Sequence, residues 1–208
     1  MQIIEQSVTF IDAPKNLGKI IETAARTCYK SHDKIKEGSD ERLFNQIVKQ
    51  THHDSVAEHG SIVLQVVTDR AILAQLTRHR HFSFSVESQR YVNYSKEKFG
   101  SEVKFIKPEG IEGGTEAYHM WVLAMNYAEG SYFDMLDLKC KPEIARSVLP
   151  NSTAVELTMS GNVRQFRHYF KLRAEGHAQS DHQKLAKMMY DCMIENGVPS
   201  YLFDDIFK

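Results

Sequence analysis

Arg78, His79, Arg80 and His81 stand side by side in the stretch RHRHFSFSVESQR, and Ser83, Ser85, Ser88 and Arg90 follow closely. An arginine guanidinium is a planar fork of N–H donors with a permanent charge, suited to phosphates and other two-point acceptors. Cations packed this densely repel one another unless an anion is usually nearby. The stretch is therefore either a solvated basic turn or the seat of a phosphate-bearing ligand. Two details favour the ligand. The cluster falls at the end of an expected helix, where the helix dipole favours cations. Arg90 returns far enough along the chain to fold back over the same anion.

A second polar set lies in NVRQFRHYFKLRAEGHAQ, residues 162–179. Asn162 and Arg173 are eleven apart, close to three helical turns, so they share a helix face. Arg164 and His168 are four apart and share a neighbouring face. Val163, Phe166, Tyr169 and Phe170 fill the remainder. Such a helix can address one ligand with each polar stripe, or it is a surface helix with ordinary charges.

THHDSVAEH offers His52, His53, Asp54, Glu58 and His59. Their spacing matches neither HExxH nor a familiar zinc pattern, so no metal is expected, and ligand contact or helix capping is the better reading. Cys28, Cys140 and Cys192 are odd in number, far apart and without a CxxC pair. Neither a disulfide framework nor a thiolate metal site is expected. Cys28 lies on an apolar stripe and Cys192 in a Met-rich segment, so neither has the cationic setting of a nucleophile. A reducing, cytoplasmic compartment follows.

The elements that must position these groups are legible in outline. A strand is expected over 2–10, and helices over 14–29 and from Asp40 onward. SIVLQVV (61–67) reads as a strand, and TDRAILAQLTRHR as a helix capped by Thr68 or Asp69 that carries Gln75, Arg78 and His79 near its end. Residues 81–100 read as irregular and 102–107 as a strand. A long helix runs from a Thr115 cap to about Lys139. PEIARSVLP is a short helix, and STAVELTMSG is a half-buried strand. Two further helices cover 162–174 and 178–196, and the apolar tail VPSYLFDDIF docks on the body. No GxGxxG follows a strand, so a Rossmann dinucleotide site has no support. The expected class is mixed α/β (α+β), a small sheet covered by helices, in one domain over 1–208.

The chain has 208 residues, with 26 basic and 27 acidic side chains and a net charge of −1. That balance speaks against a general nucleic-acid coat and confines any basic site to a patch. No apolar run approaches the ~20 residues needed to cross a bilayer, and the start MQIIEQSVTF lacks the pattern of a signal peptide.

Arg78-His79-Arg80, seven residues and then Ser88 form RHR-x7-S, which closely resembles the signature of the flavin-dependent thymidylate synthases. THHDSVAEH, EIARSVLP and NVRQFRHYFKLRAEGHAQ resemble that family's companion segments in the same order. The resemblance implies a homotetramer whose sites are built from several subunits. It implies FAD as cofactor, NADPH as reductant, and 5,10-methylenetetrahydrofolate and deoxyuridylate (dUMP) as substrates, with thymidylate as product. It places Ser55, Arg78, His79, Arg80, Asn162, Arg164 and His168 on FAD. It places Gln75, Arg78, Ser88, Arg90, Arg146 and Arg173 on dUMP, and His53 near folate and flavin, with Tyr91 close by. Arg173, His53 and Ser88 become the catalytic candidates. The family has Glu or Gln two residues before the signature serine, and this chain has Val86. Backbone contacts to the flavin survive at Val86, whereas a side-chain contact requires Glu87 to substitute at the substrate. A competing reading takes the basic residues with Phe82, Phe84, Tyr91 and Tyr94 as a single-strand nucleic-acid platform.

Overall fold

Alternation of branched and polar side chains decides where the sheet forms. In β3 (Ser61–Asp69), Ile62, Leu64, Val66 and Thr68 are buried and their neighbours are more exposed. In β6 (Ala154–Asn162), Val155, Leu157 and Met159 are buried in the same alternating way. The computed structural model describes residues 1–94 and 101–207. A four-stranded sheet orders β2 (Ser7–Asp12), β3, β6 and β4 (Ser83–Val86) side by side. A separate two-stranded sheet pairs β1 (Gln2–Ile4) in parallel with β5 (Lys104–Ile106), Ile3 opposite Phe105. Seven α-helices are present among the described residues: α1 (Leu17–Cys28), α2 (Ser39–Phe44), α3 (Arg70–Leu76), α4 (Glu116–Asp137), α5 (Pro142–Ala145), α6 (Val163–Arg173) and α7 (Ser180–Glu195). The class is the expected mixture of small sheets and many helices.

Two compact units divide the chain. The first comprises Met1–Ser7, Val66–Arg78 and Ser85–Leu157, and the second Val8–Gln65, His79–Phe84 and Thr158–Lys208. In the first unit, Tyr94, Val103, Phe105, Met125, Tyr132 and Ala145 form one buried cluster, with Trp121 and Phe133 packed against it. α4 opens where Thr115 Oγ1 accepts from the Tyr118 N–H at 3.2 Å, the expected cap.

In the second unit the tail docks as expected. Leu202 and Phe203 are fully buried, Phe203 meets Phe170 edge to face, and Phe207 stacks on Tyr190. Arg167, buried on α6, donates to both Asp205 carboxylate oxygens at 2.7 and 2.6 Å and to the Leu202 carbonyl at 2.6 Å. A buried guanidinium needs this full set of acceptors.

Several boundaries differ from the sequence reading. The expected strand over 2–10 is two strands in different sheets, separated where the Gln6 carboxamide is buried and accepts from Thr68 Oγ1 at 2.8 Å. The helix expected over 68–80 stops at Leu76. Asp69 is its cap, accepting from the Ile72 N–H at 2.7 Å, and Thr77 closes the last turn through its hydroxyl on the Leu73 carbonyl. The helix from Asp40 begins at Ser39 and passes at Asn45–Gln50 into a wider π turn. The stretch 81–100 contains β4, and its part over 95–100 lies outside the described residues. The helices expected over 14–29, 162–174 and 178–196 are each trimmed by one to three residues per end, as fraying boundaries are.

Candidate active site

The basic cluster sits on turns beyond α3, not on the helix itself. Arg78 N–H donates to the Gln75 carbonyl at 3.2 Å, and Phe82 N–H to the His79 carbonyl at 3.1 Å. In the second unit, α6 fixes the later turn. Asn162 is the N-cap rather than a helical residue: its Oδ1 accepts from Gln165 N–H at 2.9 Å, and Gln165 Oε1 accepts from Asn162 N–H at 2.7 Å. The expected shared helical face of Asn162 and Arg173 therefore ends one residue short of Asn162. Gln165 also donates through Nε2 to the His81 carbonyl at 2.7 Å, tying the basic turn to the start of α6. Phe82 seals this joint, its ring set edge-on to Phe166 with centroids 4.9 Å apart.

This arrangement brings His79 onto Arg173. Arg173 Nε donates to His79 Nε2 at 3.0 Å. Burial lowers the His79 pKa to about 4, helped by the charges of Arg173 and His168. The ring is neutral near pH 7, and its Nε2 lone pair accepts from the guanidinium. The His168 ring lies 6.4 Å from that of His79. Arg80 and His168 are exposed, and Arg164 is exposed and paired with Glu58. Glu58 ends the 3-10 turn Asp54–Glu58, which also carries exposed Ser55 and follows His53. His53 N–H donates to the Ile47 carbonyl at 2.8 Å.

The first unit carries the remaining candidates. Gln75 is half-buried at the end of α3, and Arg78 is exposed just beyond it. Ser88 Oγ accepts from Arg90 N–H at 3.4 Å, and the Ser88 carbonyl accepts from Tyr91 and Val92. Arg90 is exposed, 3.5 Å from the Glu143 carboxylate and over the Tyr91 ring. Arg146 is half-buried in the turn Arg146–Val148 after α5. Val86 is exposed at the end of β4. Glu87 turns its carboxylate into the protein, accepting from Tyr94 Oη at 2.6 Å and from Glu156 N–H at 3.2 Å.

Of the residues assigned to FAD, Ser55, His79, Arg80, Asn162, Arg164 and His168 lie in the second unit, and Arg78 and Val86 in the first. Those assigned to dUMP lie in the first, except Arg173, which lies in the second. Sequence reasoning missed Glu58 as the partner of Arg164, Gln165 as the clamp on the basic turn, and Tyr169, fully buried with its ring against His79. The i, i+4 spacing of Tyr169 and Arg173 was the available signal. Exposed guanidiniums and the neutral His79 imidazole can bind anionic groups and hold a proton acceptor ready. All three cysteines are free. No helix is long and apolar enough to cross a membrane among the described residues.

Comparison with known proteins places this geometry. The family model "Thymidylate synthase complementing protein" matches residues 9–199. A flavin-dependent thymidylate synthase of Mycobacterium sp. (strain JLS) is 31% identical over 189 residues, covering 80% of this chain and 72% of the relative. One from Mycobacterium tuberculosis (strain ATCC 25177 / H37Ra) is 32% identical over 185 residues, covering 80% and 71%. The crystal structure of the Helicobacter pylori flavin-dependent thymidylate synthase with FAD and dUMP superposes with a TM-score of 0.75 at 26% identity, covering 97% of this chain and 100% of that one. With the RHR-x7-S signature on its turn and the match running through segments of both units, the chain belongs to the flavin-dependent thymidylate synthase family.

Proposed function

We propose that this protein converts dUMP to dTMP by reductive methylation, a methyltransferase reaction using FAD, NADPH as reductant and 5,10-methylenetetrahydrofolate as carbon donor. The observation that carries the reading is the Arg173–His79 hydrogen bond. It joins the residue assigned to the pyrimidine with one assigned to the flavin.

The donors present fit a cofactor that carries a diphosphate. Arg78, Arg80, His168 and the Ser55 hydroxyl are exposed. Arg164 is held by an exposed pair with Glu58, worth under about 1 kcal/mol and readily exchanged for a phosphate. Ser55, Arg78, His79, Arg80, Arg164 and His168 would hold the FAD, with Asn162 through its remaining amide N–H groups and Val86 through its backbone. When bound, the flavin supplies the hydride.

The chain's own residues do the rest. Gln75, Arg78, Ser88, Arg90 and Arg146 orient dUMP. Glu87 serves through its backbone carbonyl, because its carboxylate is spent on Tyr94 and Glu156 and its N–H on the Glu156 carbonyl. Arg173 faces the N3–C4–O4 edge of uracil and stabilises negative charge there, which makes C5 nucleophilic without a thiolate at C6. His53 stands where folate and flavin meet, and Ser88 positions the nucleotide beside C5. Positioning supplies much of the rate.

Residues 1–208 act as one catalytic domain, and the family match across 9–199 supports this. The protein is a cytoplasmic homotetramer. Met120, Leu123 and Tyr127, exposed on one face of α4, supply apolar surface for association. Purified protein should be yellow with bound flavin and should form dTMP only when the folate and NADPH are both supplied. A colourless protein that forms no dTMP with added FAD refutes the reading.

A further inference from the structure

Gln165 joins, through one carboxamide, two backbone segments of the second unit that carry residues assigned to the flavin. Its Oε1 accepts from the Asn162 N–H at 2.7 Å, and its Nε2 donates to the His81 carbonyl at 2.7 Å. Arg80 precedes His81 on the basic turn, and Arg164 precedes Gln165 at the start of α6. The turn itself is closed by the Phe82 N–H on the His79 carbonyl at 3.1 Å. The peptide group between His81 and Phe82 is therefore fastened at both ends, its carbonyl to Gln165 and its N–H to His79.

The two partners fix which way the amide lies. The Asn162 N–H needs an acceptor and the His81 carbonyl needs a donor, so Oε1 faces the first and Nε2 the second. A helix cap alone does not ask for this. The third position of a capping box takes Glu as well as Gln, and a carboxylate there also suits the helix dipole. Glu would keep the cap and lose the N–H aimed at His81. The acceptor half of the carboxamide serves the helix, and the donor half serves the turn. The joint around it is closed on backbone. A Cβ on the buried Gly161 would stand 2.9 Å from Gln165 Oε1 and 2.5 Å from two atoms of the Phe82 ring. Phe82 packs on Phe166 and so holds the end of the turn by apolar contact, while Gln165 holds its middle.

We propose that Gln165 is a positioning residue for the flavin: by pinning the His81–Phe82 peptide to the cap of α6, it keeps Arg80 in register with Arg164 and His168, so that donors from the turn and from the helix meet one diphosphate. The inference rests on the reading that these residues hold FAD. Without the donor half the helix stands, and the turn loses its register with it.

Full-length Gln165→Glu protein separates the two halves. It keeps an acceptor for the Asn162 N–H, so its melting temperature should stay within about 3 °C of wild type. Its dissociation constant for FAD, read from quenching of flavin fluorescence, should rise about fivefold or more. Gln165→Ala loses both halves and should lose both stability and affinity. Salt distinguishes lost placement from repulsion by the new carboxylate. The ratio of the Gln165→Glu and wild-type dissociation constants should hold within about twofold from low to high salt, because only repulsion is screened. Hydrogen exchange gives a readout without flavin. The Phe82 amide should exchange about fivefold faster or more in Gln165→Glu, while the amide at position 165, held by Asn162 Oδ1 at 2.9 Å, exchanges as in wild type. Wild-type FAD affinity in Gln165→Glu overturns the proposal, as does weaker binding that recovers in high salt, or unchanged exchange at Phe82. A Gln165→Glu melting temperature as low as that of Gln165→Ala reduces the residue to a cap and overturns it too. Wild-type protein that takes up no FAD overturns the functional reading and this proposal together.

Discussion

Tyr94 donates its hydroxyl to the Glu87 carboxylate at 2.6 Å, and the second carboxylate oxygen accepts the Glu156 backbone N–H at 3.2 Å. The segment that carries the signature serine is therefore pinned to β6 just before Ser88, with Glu87 N–H donating to the Glu156 carbonyl at 2.9 Å as well. Burial and the Glu87 charge raise the Tyr94 pKa, so the phenol stays a donor throughout the working pH range. The acid beside Val86 is a structural fastener, and its side chain is not spare for a ligand.

Tyr94→Phe removes one charge-assisted hydrogen bond and leaves the carboxylate short of a partner. It should lower the unfolding free energy by about 2 kcal/mol. A lower urea midpoint at unchanged slope would show this.

Gly161 is the point where the basic turn presses on β6. A Cβ there would stand 2.5 Å from two atoms of the buried Phe82 ring. Gly161→Ala should cost about 1–3 kcal/mol and displace the turn that carries His79 and Arg80. Its FAD affinity, measured by flavin fluorescence quenching, should fall together with its melting temperature.

His79 and His182 also set a pH dependence. Their folded pKa values, about 4 and about 3, lie below the ordinary 6.5. Below 6.5 the unfolded chain binds protons that the folded chain does not. The stability these neutral rings contribute is present above pH 6.5 and is lost as pH falls through the folded values. Denaturation midpoints should drop between pH 6.5 and 4, and His182→Phe should drop less than wild type over that window.

Much of this was legible in the sequence, for physical reasons. β3 and β6 announce themselves by a period of two, and α4 by its Thr115 cap. The sequence reading runs α3 too long because neither Gly nor Pro follows Leu76; its last turn closes through the Thr77 hydroxyl on the Leu73 carbonyl. The signature and its companion segments pointed to the family, because their residue types and order survive in one dimension. Partnerships across long separations did not. Glu58 with Arg164, Gln165 with His81, and Glu87 with Tyr94 depend on how the chain folds back. Tyr169 reads in the sequence as part of an apolar helix face, and only its ring's placement beside His79 sets it apart.

Arg173→Lys keeps the charge but loses the planar fork and the Nε–H that meets His79. Its turnover should fall by about tenfold or more with flavin content unchanged, as absorbance of the purified protein would show.

Release of tritium from dUMP labelled at C5, followed in a single turnover with FAD, NADPH and methylenetetrahydrofolate, tests the central claim most directly. Wild-type protein should release the label. Arg173→Ala should keep its flavin and lose about a hundredfold or more in the rate of release, with a smaller loss in dUMP affinity, because the guanidinium acts on charge that develops during the reaction. No release from wild-type protein, or an Arg173→Ala protein with normal single-turnover release and only weakened dUMP binding, would contradict the account.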